Sequence, residues 1–291
     1  MLSDEKRDMK RLIYTPSGVI HEGGAGMFRV QRMMITELLS SRELTWRLFQ
    51  RDFKARYRQS ALGVLWAFLM PVVTATMFLV MRNSGVVNIP ETGIPYALYA
   101  ITGLSIWGVF ASGVSSSAAS LVNAGSMVVK INFPKVSLVV AACIQGLVDF
   151  TIRLVLLGAL ILYYGILPSL PMSCLALLAL IPIFLLTFGL GCLLSLISVL
   201  FRDIGNLINL GFTGILFITP ILYPMREDSL LSRLNYWNPL NYLINVPRDL
   251  LLKGSTSDTQ PFLITSIFCL VLFLTCWRLF FLAQTKIAER V

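Results

Sequence analysis

Residues 92–129 read TGIPYALYAITGLSIWGVFASGVSSSAASLVNAGSMVV, 38 residues without one Asp, Glu, Lys or Arg. A helix crosses the hydrocarbon core of a bilayer with roughly 20 apolar residues, so this stretch barely holds two spans and a turn. Its middle, Ala111 to Ser120, is rich in small residues rather than turn formers. The pattern predicts one long helix, packed closely through Ser112, Gly113 and Ser115 to Ala119. Similar uncharged runs recur down the chain. Over 291 residues the apolar fraction is 56% and the charged fraction 13%, with a mean hydropathy of +0.76. Soluble domains carry about 25% charged residues, so a water-soluble globule is excluded. The short alternating segments of about 10 residues that mark an outer-membrane barrel do not occur. An all-α membrane protein follows.

Six transmembrane helices are expected, at about 62–81, 94–122, 136–164, 172–201, 207–223 and 261–281. Pro71 lies inside the first and is expected to kink it; Pro168 and Pro171 form a turn before the fourth. Three regions result: a polar, irregular N-terminal segment over 1–39, a helix over 40–60 and a membrane domain over 61–291. The first region holds the break Gly23-Gly24-Ala25-Gly26, which reads as linker, and partial disorder is expected before Met27. The opening MLSDEKRDMKRLIY lacks the apolar core of a cleaved signal peptide, so the first span is expected to direct insertion.

The helix over 40–60 carries two stripes. Ser40-Ser41-Arg42-Glu43 fits a capping box. Trp46, Phe49, Phe53 and Tyr57 then follow at helical spacing, beside Arg47, Arg51, Lys54 and Arg58. Such an amphipathic interface helix is expected to lie along the membrane surface with its aromatics at the headgroups. A plain juxtamembrane basic cluster is the alternative. Between spans five and six, Asn238-Pro239 gives an N-cap and a Pro at the first helical position, predicting a helix from Leu240 to Leu252 that ends near Gly254. Asp228 to Trp237 predicts another short helix, capped by Asp228 or Ser229. The two read as re-entrant gate helices at a pore mouth or, alternatively, as an interfacial loop.

The formal charge of +9 is unevenly spread. Of 24 Lys and Arg, 12 precede residue 61 and 18 fall on one side of the six-span arrangement, against 5 on the other and Arg153 within a span. The positive-inside rule places both termini in the cytoplasm. Asp149 and Arg153 are the ionisable pair inside a span. Each costs about 2.5–3.5 kcal/mol at mid-helix, and their i, i+4 spacing sets them on one face. A structural ion pair is the first reading and a proton relay or substrate site the second. Catalytic residues are not expected: the lone His21 lies in the linker, and Cys143, Cys174, Cys192, Cys269 and Cys276 sit in apolar runs as small core residues without metal-ligand spacing. A GxxxxGK[ST] loop is missing, because Lys253-Gly254-Ser255-Thr256 has the wrong order. Any ATP-driven role therefore needs a partner to hold ATP and Mg. Phe78, Tyr96, Tyr99, Trp107 and Phe110, near outer span ends, read as an interfacial belt or as stacking faces for sugars.

Residues 51–67, RDFKARYRQSALGVLWA, continuing to Pro71, resemble the RDxKxRYxxSxLGxLWAxxxP signature of ABC-2-type polysaccharide-exporter permeases, the Wzm-like O-antigen, capsule and teichoic-acid transporters. Asn123 through Lys130, Phe133 and Pro134, then Arg202-Asp203 followed by Thr219-Pro220-Ile221-Leu222-Tyr223-Pro224, then Asn238-Pro239-Leu240 leading to Arg248, agree in order and spacing. The resemblance covers about residues 34–291. It implies a permease subunit in the bacterial inner membrane, working as a homodimer with two copies of a separate ABC ATPase. The implied substrate is an undecaprenyl-linked polysaccharide, O-antigen first; export of a drug or small lipid is the alternative. Carried over by position, Trp46, Phe49, Arg51, Asp52, Phe53, Lys54, Tyr57, Lys130, Phe133, Pro134, Arg202 and Asp203 would meet the ATPase. Trp66, Phe78, Tyr96, Tyr99, Trp107, Tyr236, Trp237 and Asn238 would line the channel or outer gate.

Overall fold

The computed structural model describes residues 12–15, 18–21, 27–58, 62–63, 65–84, 93–125, 127, 133–201, 203–224 and 230–287. A short antiparallel hairpin, β1 (Leu12–Thr15) and β2 (Gly18–His21), precedes α1 (Met27–Ser40) and α2 (Arg42–Tyr57). There follow α3 (Leu65–Asn83), α4 (Tyr96–Ala124), α5 (Val136–Tyr164), α6 (Leu170–Leu178), α7 (Ile181–Leu200), α8 (Ile204–Ile218), α9 (Leu230–Tyr236), α10 (Pro239–Lys253) and α11 (Thr259–Ile287). The hairpin and α1 correct the expectation of an irregular segment over 1–39, and the hairpin qualifies the all-α assignment. Met34 of α1 is buried against Phe281 near the end of α11. That tertiary contact fixes a helix whose own sequence is only moderately apolar.

Among the described residues, five segments are long and apolar enough to cross a membrane: α3, α4, α5, the α6–α7 unit over Leu170–Leu200, and α11 over Thr259–Gln284. The fourth is broken at Ala179 and Leu180, not continuous, because Pro182 lacks the N–H that would bond back across the junction. Pro71, by contrast, lies inside an uninterrupted α3. The expected span at 207–223 is helical only over Ile204–Ile218, 15 residues. That is about 22 Å of helix against a core of about 30 Å. The helix stops at Ile218 because Thr219 precedes Pro220, whose ring disfavours helical backbone before it; Thr219 is extended, with φ −75° and ψ 136°.

At the centre stands α4. It packs on α5 and α7 along its length and also meets α3, α8 and α10. The small residues singled out in its sequence make these crossings close. A Cβ on Gly113 would lie 2.5 Å from Thr187 Cγ2, and one on Gly191 would lie 2.6 Å from Ser117 Cβ. Without water to drive helices together, such close packing is what holds them. One apolar cluster joins Leu104, Phe110 and Val114 to Ile183, Leu186, Leu243 and Ile244, and a second joins Leu48 and Phe49 to Phe133, Val139, Cys192 and Phe280. By contrast α3 and α8 are poorly covered, with Trp66, Met70, Val73, Met77, Leu207, Leu210 and Phe217 exposed.

Replacing Gly113 by Val overpacks the α4–α7 contact and costs about 1–3 kcal/mol. Gly158, with nothing within 4 Å of an added Cβ, serves as the control: Gly158→Ala removes a mid-helix glycine and gains about 0.5–1 kcal/mol. Thermal unfolding of the detergent-solubilised variants reads both, and equal melting temperatures would contradict this packing.

Candidate functional site

Beyond Ile218 the chain leaves the helix, and its backbone carbonyls need partners. Side chains from three other elements supply them. Asn235 of α9 donates through Nδ2 to the Ile218 oxygen at 2.7 Å. Tyr99 and Tyr96 of α4 donate through their hydroxyls to Pro220 at 3.5 Å and Leu222 at 2.8 Å. Arg248 of α10 donates through Nη1 to Ile221 at 3.2 Å. Tyr223 turns its hydroxyl back onto Phe217 at 2.6 Å. Asn238 both caps α10, accepting from the Leu240 N–H at 3.1 Å, and donates to Thr219 Oγ1 at 2.9 Å. Buried backbone carbonyls off a helix need donors; here side chains supply them one carbonyl at a time.

Arg248 is the keystone of this knot. It is 3% exposed, its guanidinium lies 3.7 Å from the Tyr99 ring centroid, and Nη2 donates to Asn245 Oδ1. Burial lowers its pKa from the ordinary value, while Tyr99 and Asp249 work against that shift. Asp249 in turn holds Lys253 at 3.1 Å. Beside it, burial raises the Asp258 carboxyl, with Asp249 adding to the effect. The expected helices of this region are present as α9 and α10, and α10 ends at Gly254 with φ +72°; residues 225–229, including the proposed caps, lie outside the described residues. Among α9, α10 and α11 a recess of about 530 Å³ is lined by Tyr236, Trp237, Tyr242, Gln260 and Phe268. Trp237 is 84% exposed and meets Tyr236 edge-on at 5.6 Å.

At the other end α2 is docked on α5. Ser137 Oγ donates to Ser41 Oγ at 3.0 Å, and Arg56 Nη1 bonds Asp149 Oδ2 at 2.8 Å. The two helices therefore run side by side in the same direction. Phe49 and Phe133 are buried in the cluster between them, Phe53 and Pro134 are half-buried, and Trp46, Arg51, Lys54 and Asp203 stay exposed. Asp52 binds Arg51 at 2.7 Å. The capping box does not form. Ser40 and Ser41 both donate to the Glu37 carbonyl, at 2.9 and 2.8 Å, and Glu43 pairs with Arg47 at 2.7 Å. Helical hydrogen bonds run through the junction from α1, so there are fewer free N–H groups to cap. In the adjoining loop, burial lowers the pKa of Lys135. Lys130, Arg202 and the Tyr57 side chain lie outside the described residues.

Of the aromatics assigned to a channel or gate, Tyr96, Tyr99 and Trp107 are buried in the chain's own core and Phe78 packs against it; Trp66, Tyr236 and Trp237 are exposed. Two features escaped the sequence reading. Arg56 was one cation among many, off the basic stripe, and only packing brings it to Asp149. Asn206, Asn209 and Thr213 share one exposed face of the otherwise apolar α8; their spacing of three and four was the available signal.

A family model described as ABC-2 type transporter matches residues 43–252, which takes in nearly all of α2, the knot after α8 and most of α10. The chain belongs to the ABC-2 type transporter family. Among curated proteins, this ABC-2 chain is 27% identical over 265 residues to the O-antigen export system permease protein RfbA of Myxococcus xanthus, covering 89% of the chain and 99% of that protein. It is 30% identical over 213 residues to the protein of the same name from Klebsiella pneumoniae, covering 70% and 78%.

Tyr96→Phe leaves the Leu222 carbonyl of this ABC-2 chain without its donor and costs about 1–3 kcal/mol. Trp237→Ala, at an exposed position, leaves stability within about 0.5 kcal/mol. Thermal unfolding of the purified chain separates the two; a Tyr96→Phe protein as stable as the parent would mean that the carbonyl finds another donor.

Proposed function

We propose that this chain is the membrane permease of an exporter that moves a lipid-linked polysaccharide, of the O-antigen class, across the cytoplasmic membrane, with ATP and Mg bound by a separate ATPase subunit. The observation that carries this reading is the similarity to an O-antigen export permease along 99% of that protein's length. Two permease copies form the passage and two ATPase copies dock beneath it, with both termini in the cytoplasm. The thinly covered α3 and α8 offer the faces that meet across the pair. The polar stripe Asn206, Asn209 and Thr213 on α8 supports a wet path, since such groups are poorly placed against lipid. Exposed Trp46, Arg51 and Lys54 are available to the ATPase, and the docking of α2 on α5 passes a push on that face to the bundle as a rigid body. At the outer end α9 and α10 form the gate, and the Tyr236–Trp237 corner presents ring faces suited to stacking on pyranoses.

Deleting the gene abolishes surface polysaccharide and leaves lipid-linked polymer in the cytoplasm; intact surface polysaccharide in the deletion strain overturns the reading. The purified chain hydrolyses no ATP above background until its ATPase is added. Arg51→Gln with Lys54→Gln lowers export at least tenfold while permease abundance stays constant, as read by surface glycan and immunoblot. Normal export in that double variant removes α2 from the ATPase contact.

A further inference from the structure

Where α4, α5, α6 and α10 meet there is a recess of about 220 Å³, lined by no residue of α3 or α8. Its wall includes Thr102 and Ile106 of α4, Phe150 and Leu157 of α5, Leu180 at the α6–α7 break and Pro247 of α10. Among the described residues, none of those lining it is ionisable, and its surface is almost wholly carbon. Thr102, Leu157, Leu180 and Pro247 are buried, whereas on the same wall Leu154 is half-buried and Leu177 is 55% exposed. The mouth therefore lies between α5 and α6, both parts of segments long and apolar enough to cross a membrane.

One polar group in this wall is unaccounted for. Thr102 is 2% exposed, and its Oγ1 has no hydrogen-bond partner among the described residues. The two serines that share the wall spend their protons on backbone carbonyls: Ser105 donates to Ile101 at 2.6 Å and Ser173 to Ser169 at 3.1 Å. A buried hydroxyl left without a partner is costly. A water molecule needs about 2–4 polar partners, more than this wall offers, while an apolar cavity of about 150 Å³ already admits a benzene-sized guest. The recess thus fits an uncharged, mainly hydrocarbon occupant that carries one acceptor oxygen.

Depth identifies that oxygen. The 29 residues of α4 make about 43 Å of helix against a hydrocarbon core of about 30 Å, so a centred α4 projects about 7 Å beyond the core at each end. Thr102 lies about 9 Å along from Tyr96, and Leu157 about 10 Å back from Tyr164, both just inside the boundary at which phospholipid ester linkages sit. Ile106 and Phe150 lie deeper, at about 15 and 21 Å from the same ends. We propose that the recess seats one acyl chain of a membrane phospholipid, with the Thr102 hydroxyl donating to the ester carbonyl and the methylenes running past Ile106 and Leu180 toward Phe150. The site stands apart from the export reading, because its occupant is bilayer lipid whatever the permease moves. The chain touches Pro247 and Leu251, which flank Arg248 along α10, so a seated lipid braces the helix that carries the knot after α8.

Photo-crosslinking in nanodiscs reads the site. The full-length chain is placed in diester phosphatidylcholine with a trace of the same lipid bearing a diazirine midway along one chain, and adducts are mapped by mass spectrometry. Adducts around Leu154 and Leu180 are expected at least fivefold above those at Ile267 and Val271, which are exposed on α11. Replacing the bulk lipid by its diether analogue, which lacks the carbonyl, should raise the recess adducts at least threefold, because the bulk then competes poorly, and leave the α11 adducts unchanged. Thr102→Val should abolish that difference between bulk lipids, and Thr102→Ser should keep it. Ala176→Phe should fill the recess, whose wall Ala176 shares, and remove its adducts. Elution on size exclusion identifies variants that fail to fold, and the near-isosteric Thr102→Val keeps the test decisive if Ala176→Phe does not. Recess adducts no more frequent than those on α11 overturn lipid occupancy, whether a small molecule or a second copy fills the space. An undiminished diester–diether difference in Thr102→Val overturns the hydroxyl contact and with it the assignment.

Discussion

The carbonyl oxygens of Ile218, Pro220, Ile221 and Leu222 set the terms for the half of this molecule that holds α9 and α10. They belong to a chain that has left its helix, in a protein whose surroundings offer few donors, and each unsatisfied group there costs several kcal/mol. Asn235, Tyr99, Arg248 and Tyr96 meet that cost. To do so, Asn235 of α9 and Arg248 of α10 must reach the segment after α8, and a whole arginine must be buried. The aromatic ring under Arg248 and the Asn245 oxygen beside it make that burial tolerable. The short α8, the proline-rich segment after it and the returning hairpin are thus one solution to one hydrogen-bonding problem.

The half that carries α2 depends on a different contact. There α2 is clamped to α5 at both ends, by Ser41 on Ser137 and Arg56 on Asp149, with Leu48 and Phe49 filling the space between. Its apolar side is consumed by this docking, which leaves the basic side outward. Both halves are joined through α4, whose small residues bring α5 and α7 into close contact with it.

Much of this was legible in the sequence. The uncharged run around α4 gave a single long, closely packed helix, because charge and residue size alone decide that. Asn238-Pro239 and Gly254 marked the ends of α10 through cap chemistry that is local to a few residues. The capping box at Ser40 failed for an equally plain reason: the motif is written in the sequence, but the chain upstream was already helical, so the N–H groups it would cap were in use. The hairpin and α1 were missed since their segment looks polar and broken, and the contact of Met34 with Phe281 spans most of the chain.

By itself the sequence determined that the protein is helical and embedded in a membrane, where most helices begin and end, and that the chain lacks a P-loop of its own. Those properties follow from hydropathy, charge count and local backbone preference, which act over one turn or one span. The tertiary structure decided which residues meet: Arg56 with Asp149, Arg153 against Gly108, Tyr96 and Tyr99 on the carbonyls after α8. Each is a contact between elements distant in sequence, and hydrogen-bond satisfaction in a medium without water selects it only once the helices are in place.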